Sequence, residues 1–322
     1  MPRPRLALLG ALALIGCLDP AQPGNLVPAT VLDDPELPAL ELADTRVHLE
    51  TFGDPDDPVI VVLHGGPGND YRYLLRLIEP VEGESLADDY FWVFWDQRGA
   101  GLSERHGLEA LTLDAYLSDL EQVVDHFAAG RQVVLLGHSW GGQYAGMYMN
   151  AHPERIAGAV LAEPGRLRWD IPELAADFDF DYFAEHLGDL LWARQFVSMQ
   201  DHARADYVTS LLLLEDTNAR LEEPSPNWRV GAAVLLELYL EQIEGARFDW
   251  TPRLGEVEAE VLFITGALSV DLGTEFQGQQ TPLFADARIV EIADAGHTDI
   301  VWARAEATVP VVRDYLEGLE LE

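Results

Sequence analysis

The chain contains no lysine: all 20 of its basic residues are arginine, set against 56 acidic ones, for a net charge of −36. Such an excess repels phosphate backbones and anionic lipid surfaces, which disfavours nucleic acid and anionic membrane surfaces as partners. The acids are spread along the whole sequence, which reads as a salty habitat or a compositional bias rather than as one cation-binding patch. There is a single cysteine, Cys17, so no disulfide can form within the chain. The apolar run Leu6–Gly16 is too short to cross a bilayer as a helix. No zinc-ligand spacing, phosphate loop or dinucleotide fingerprint is present, and no internal repeat. With 48% hydrophobic and 9% aromatic residues over 322 positions, the sequence still has ample material for a large packed core.

The first residues read as an address rather than as fold. Arg3 and Arg5 precede the short apolar run, which ends Leu14-Ile15-Gly16-Cys17. That ending resembles the lipobox of bacterial lipoproteins, in which the cysteine is acylated and becomes the new N-terminus. The resemblance implies a signal peptide over 1–16, a lipid on Cys17, and export to a cell-envelope membrane. An ordinary secretory signal is the alternative. Pro20, Pro23, Pro28, Pro35 and Pro38 suggest a semi-extended tether over 17–38.

Beyond the tether the pattern alternates. Val59–Leu63, Phe91–Trp95, Gln132–Leu136 and Ile156–Leu161 read as buried strands, and a helical spacing of apolar residues fills Leu111–Ala129 and the stretch after Ser139. From 165 to 255 the spacing is helical throughout, which predicts an inserted cap. Strands resume at Val261–Thr265 and Ala287–Ile292, and a last helix covers Trp302–Leu319. This is an α/β chain with a mostly parallel sheet covered on both faces, its core formed by 39–164 and 256–322.

Four motifs stand directly after strands. Gly137-His138-Ser139-Trp140-Gly141 is Gly-x-Ser-x-Gly between a strand and a helix, the context in which a sharp turn exposes a nucleophilic hydroxyl. His64-Gly65-Gly66-Pro67-Gly68 follows an earlier strand. A tetrahedral oxyanion needs two backbone N–H donors, and Gly66 and Trp140 are the candidates. His64 braces this loop. Asp96-Gln97-Arg98-Gly99 follows a third strand, and Asp96 and Arg98 are expected to form a loop-fixing ion pair. Ala295-Gly296-His297 follows the last strand and supplies the general base, whereas His138 is expected to diverge from the reacting centre. The acid that orients this base is expected after Thr265; Asp271 is the choice, with Asp294 and Glu275 as alternatives.

These motifs, in this order, resemble the prolyl aminopeptidase (proline iminopeptidase) branch of the α/β-hydrolase superfamily, over about 40–165 and 255–320. The resemblance implies an α/β-hydrolase fold of about eight strands with a helical cap, no cofactor and no metal, and release of an N-terminal residue from a short peptide by an acyl-enzyme route. It also implies carboxylates that clasp the substrate's ammonium; Glu163 is the candidate, then Asp177, Asp179 or Asp181. Two departures stand out. His138 replaces the family's usual glycine before the nucleophile, and Ser269 stands three residues after Gly266, where the family carries its acid. Three alternatives stay open: the same machine acting on an ester, lactone or amide; an epoxide hydrolase or dehalogenase, disfavoured because those use aspartate in place of Ser139; and a non-catalytic surface lipoprotein serving as a binding module.

Overall fold

Val59-Ile60-Val61-Val62-Leu63 is buried at every position because it is the middle of a sheet packed on both faces. In the computed structural model, which describes residues 27–172, 202–207, 209–210, 225–238 and 247–321, eight strands form one sheet. They are β1 (Ala39–Glu41), β2 (Arg46–Phe52), β3 (Val59–Leu63), β4 (Phe91–Trp95), β5 (Val133–His138), β6 (Ile156–Ala162), β7 (Val261–Gly266) and β8 (Ala287–Ile292). Their order is β1-β2-β4-β3-β5-β6-β7-β8. β1 and β2 pair antiparallel and β2 joins β4 antiparallel; every later pairing is parallel.

The two-residue period of a strand divides each apolar run between two cores. Val59, Val61, Leu63, Val93, Trp95 and Leu135 face one side. There they meet α1 (Leu113–Ala128) and α2 (Trp140–Ala151). Ile60, Val62, Trp92, Phe94, Val134 and Leu136 face the other. That side is covered by the 3₁₀ turns at Arg72–Ile78 and by the last helix, α4 (Ala305–Glu317), which follows a short α3 (Thr274–Gln277). α1 begins two residues later than its apolar spacing suggests because the Thr112 side chain accepts the Ala115 N–H and caps it.

Residues 1–26 lie outside the described residues, and with them the expected signal peptide and Cys17. The expected tether over 17–38 is corrected in its second half. Val27 and Val31 are buried, Val31 N–H donates to the Leu102 carbonyl at 2.9 Å, and Arg229 donates to the Pro28 carbonyl at 2.8 Å. Apolar contact and satisfied backbone groups make this stretch part of the domain.

Most of the expected cap at 165–255, including Asp177, Asp179 and Asp181, is likewise outside the described residues. Its two ends are described and meet. Arg168 and Asp249 form an isolated antiparallel bridge, flanked by Trp169 N–H to the Phe248 carbonyl and Trp250 N–H to the Leu167 carbonyl, both 3.1 Å. These bonds join the chain leaving β6 to the chain returning towards β7. Further along, Asp70 accepts the N–H groups of Trp228 and Arg229, and Gly231 N–H donates to the Gly68 carbonyl at 2.7 Å. The insertion is thereby pinned to the loop that follows β3. Burial, with the nearby charge of Asp96, pushes the Asp70 carboxyl up to about 7.

Candidate active site

The chain leaves β3 for β4 on one side and returns to β5 on the other, so the carboxyl ends of β3 and β5 lie side by side, with Leu63 opposite Gly137. Such a switch point opens a crevice above the sheet. Five loops converge there, after β3, β5, β6, β7 and β8.

Ser139 joins β5 to α2 with φ 56° and ψ −120°, a region L-residues seldom enter. Its N–H remains in the ladder, bonded to the Ala162 carbonyl at 2.9 Å. The flanking glycines are required by close approach: a Cβ on Gly137 would collide with the Gly141 carbonyl, and one on Gly141 with the Leu63 carbonyl. Strain of this kind costs about 1–3 kcal/mol and persists only where the surroundings over-determine it. The turn predicted from the motif is therefore present in full.

The two expected oxyanion donors sit on either side of it. A Cβ on Gly65 would lie 3.2 Å from Ser139 Cβ, so the loop carrying Gly66 borders Ser139. Gly66 itself has φ 119°. Trp140 is the first residue of α2, and a first-turn N–H has no carbonyl partner within its helix. Gln97 ties both sides together. Its backbone N–H donates to His64 Nε2 and its amide to the His64 carbonyl, each at 3.0 Å, while Trp140 Nε1–H donates to its Oε1 at 2.8 Å. His64 is buried, and desolvation holds its imidazole below the ordinary range. It braces the loop, as the sequence suggested.

Asp96 and Arg98 also fix loops, through partners elsewhere rather than each other. Asp96 accepts from Leu102 N–H at 2.8 Å and pairs with His48 Nδ1 at 2.9 Å. Arg98 forms a two-pronged pair with buried Asp119 at 2.8 and 2.7 Å.

The largest correction concerns the acid. Asp271 is exposed, and so are Asp294 and Glu275. His297 Nδ1 instead lies 2.7 Å from Oε2 of Glu163. Glu163 is fully buried, and it follows β6 directly in a left-handed conformation with φ 43°. Its Oε1 accepts Gly266 N–H at 2.7 Å, and its Oε2 also accepts the Ser269 hydroxyl at 2.9 Å. The carboxylate assigned to a substrate ammonium is thus the partner of the histidine. Ser269, standing where the family's acid stands, donates to it. β6 lies between β5 and β7, so a glutamate at its end reaches the same crevice as an acid after β7 would. The available signal was Glu163's position one residue past a strand end, the same offset as Ser139.

His138 is the second surprise. It turns toward the crevice, with its ring 4.7 Å from that of His297. This contact brings His297 against the residue adjoining Ser139.

The architecture has close parallels. An esterase from Exiguobacterium antarcticum superposes with a TM-score of 0.62 at 19% identity, over 87% of this chain and 99% of that one. In sequence, a proline iminopeptidase of Xylella fastidiosa is 29% identical over 202 residues, covering 61% of this chain and 60% of that protein. Epoxide hydrolase B of Mycobacterium tuberculosis is 30% identical over 171 residues, covering 50% of this chain and 46% of that protein. The chain thus spans less than two thirds of the length of these curated relatives. The profile of the alpha/beta hydrolase fold matches residues 58–230, from β3 into the insertion and across more than half the sequence, so the chain belongs to the α/β-hydrolase fold family and resembles its proline iminopeptidases.

Proposed function

We propose that this protein is a serine hydrolase that works through an acyl-enzyme, with Ser139 as nucleophile, His297 as base, Glu163 as the orienting acid, and the N–H groups of Gly66 and Trp140 as oxyanion donors. The single observation that carries the reading is the Glu163–His297 pair at 2.7 Å, set beside a serine strained into the elbow geometry. A carboxylate can only accept, so His297 Nδ1 carries the hydrogen and Nε2 is left bare. In the reaction Ser139 Oγ attacks the substrate carbonyl carbon while its proton passes to Nε2. The carbonyl oxygen becomes an oxyanion held by the two main-chain donors. Collapse breaks the bond to the leaving group, which takes the proton from Nε2. Water then repeats the sequence on the acyl-serine, and the acid is released. Glu163 steadies the imidazolium in both halves.

For the substrate we propose a short peptide from which an N-terminal residue is released. Support comes from the paired His-Gly-Gly-Pro-Gly and Asp-Gln-Arg-Gly motifs and from the likeness to proline iminopeptidases. One observation favours a second reading, ester hydrolysis: with Glu163 engaged by His297, the carboxylate first expected to clasp an ammonium is committed elsewhere. A panel of free and N-acetylated prolyl and alanyl amides against short acyl esters separates the two. Aminopeptidase action requires cleavage of the free amides and failure on the acetylated ones; the reverse preference, or esters alone, removes it.

Two further outcomes follow. Asp271→Asn is expected to keep kcat/KM within about twofold of wild type, since an exposed side chain outside the proton path changes no reacting contact. A collapse in that variant would return the acid to the loop after β7. Export and lipid attachment at Cys17 belong to the same proposal. Full-length protein is expected in the membrane fraction, and Cys17→Ser in the soluble fraction with its hydrolytic rate unchanged. Wild-type protein that fractionates as soluble would remove the anchor.

A further inference from the structure

His138 occupies a position where the family usually carries glycine, and it is not needed for the proton path described above. It is nonetheless buried, and every polar atom of its ring has a partner. Nε2 lies 2.9 Å from the His297 carbonyl oxygen, and Nδ1 lies 2.7 Å from the Tyr73 hydroxyl. The Tyr73 oxygen in turn accepts the Gly65 N–H at 2.9 Å.

The protons on this chain can be assigned by elimination. Burial, and the neighbouring His297, hold the His138 imidazole well below its ordinary range, so the ring is neutral and has one donor and one acceptor nitrogen. A carbonyl oxygen can only accept, so the hydrogen is on Nε2. Nδ1 is then a bare acceptor and Tyr73 must donate to it. Burial pushes the Tyr73 hydroxyl above its ordinary range, which keeps that proton in place.

We infer that Tyr73 and His138 form a one-way hydrogen-bond wire, from the oxyanion loop through the side chain before the nucleophile to the backbone of His297, and that it positions the base. The inference rests on the serine-hydrolase reading. Two effects follow from the geometry. The His138 Nε2–H holds the His297 main chain against the elbow, so the imidazole and the oxyanion loop share one frame. The Tyr73 O–H also fills the only basic site on His138. When His297 takes the proton from Ser139, a second ring 4.7 Å away has no free lone pair to compete for it. The positive charge therefore stays on His297, opposite Glu163. His138 and Tyr73 are positioning residues; neither touches the reacting atoms.

The test uses the rate of covalent labelling by a fluorophosphonate, which reads nucleophile activation without a substrate. Tyr73→Phe is expected to label about tenfold more slowly, the scale of a misplaced rather than a missing group, with KM changed less than about twofold on any substrate turned over. His138→Leu is expected to match it. His138→Gln, whose amide can still donate to the His297 carbonyl, is expected to recover part of the rate. If wild-type protein does not label at all, the serine-hydrolase reading fails first. If wild type labels and folded Tyr73→Phe labels equally fast, the wire is overturned. A second measurement needs no variant to fold: ¹⁵N NMR of histidine-labelled wild-type protein, with the His138 signal expected as a neutral ring protonated at Nε2. A ring protonated at Nδ1, or at both nitrogens, near neutral pH overturns the inference.

Discussion

Glu163→Gln is expected to lower kcat by about 10⁴-fold with little change in KM, because replacing an orienting carboxylate by its amide leaves the shape and reverses the tautomer. The effect follows from the particular partners of Glu163. Glu163 receives three donors: Gly266 N–H, the Ser269 hydroxyl and His297 Nδ1–H. A glutamine side chain can keep its oxygen toward Gly266 only by turning its NH₂ toward His297. That NH₂ donates, so Nδ1 must accept and the hydrogen moves to Nε2. Nε2, the atom that has to take the Ser139 proton in the proposed reaction, then has no free lone pair. The missing charge also removes what stabilises the imidazolium. Circular dichroism and thermal melting of the variant check that the fold is retained. Near-normal turnover in folded Glu163→Gln would end the assignment. A positive control comes from Ser269, whose hydroxyl touches the same carboxylate oxygen as His297. Adding Ser269→Asp to Glu163→Ala is expected to restore activity at least about tenfold over Glu163→Ala alone, by returning an acid to within reach of the ring.

Ser139→Ala and His297→Ala are each expected to cost about 10⁶-fold in kcat, and the double variant scarcely more, because a nucleophile and its base act as one unit. The fold should survive both. The elbow is held by Ser139 N–H to Ala162 and by the contacts of Gly137 and Gly141, none of which involves the Ser139 hydroxyl. His297 is only partly buried, so truncating its ring opens no sealed cavity. Fluorophosphonate labelling is expected to vanish in Ser139→Ala and to become very slow in His297→Ala. Labelling that persists undiminished in Ser139→Ala would place the reactive hydroxyl elsewhere. Additive losses in the double variant would mean that the two residues do not act together.

What could be read without coordinates follows a pattern of distance along the chain. Gly137 to Gly142 is a strand end, a turn and a helix start within six residues, so its geometry is decided by local sterics and the motif suffices. The strands from Val59–Leu63 through Val261–Gly266 were legible because a strand buried on both faces must be apolar throughout. The hairpin of β1 and β2 was missed. β1 is three residues long, and β2, Arg46–Phe52, mixes charge with apolar residues because it lies toward the edge, where one strand face meets water.

The primary chain by itself determined the family and the strand-end positions of Ser139, Gly66 and His297, because each of these is an adjacency of a few residues next to a strand. Which carboxylate meets His297 was decided only by the tertiary structure. Glu163 and His297 are 134 positions apart, and their meeting depends on β6, β7 and β8 lying side by side and parallel. Spacing within a loop favoured Asp271, but a side chain on the outer face of that loop points into water, whereas one at the first turn after β6 points into the crevice. The same applies to His138, whose role follows from Tyr73 and His297 closing around it. Hydrogen bonds between distant loops follow from sheet order and packing, and no local pattern encodes them.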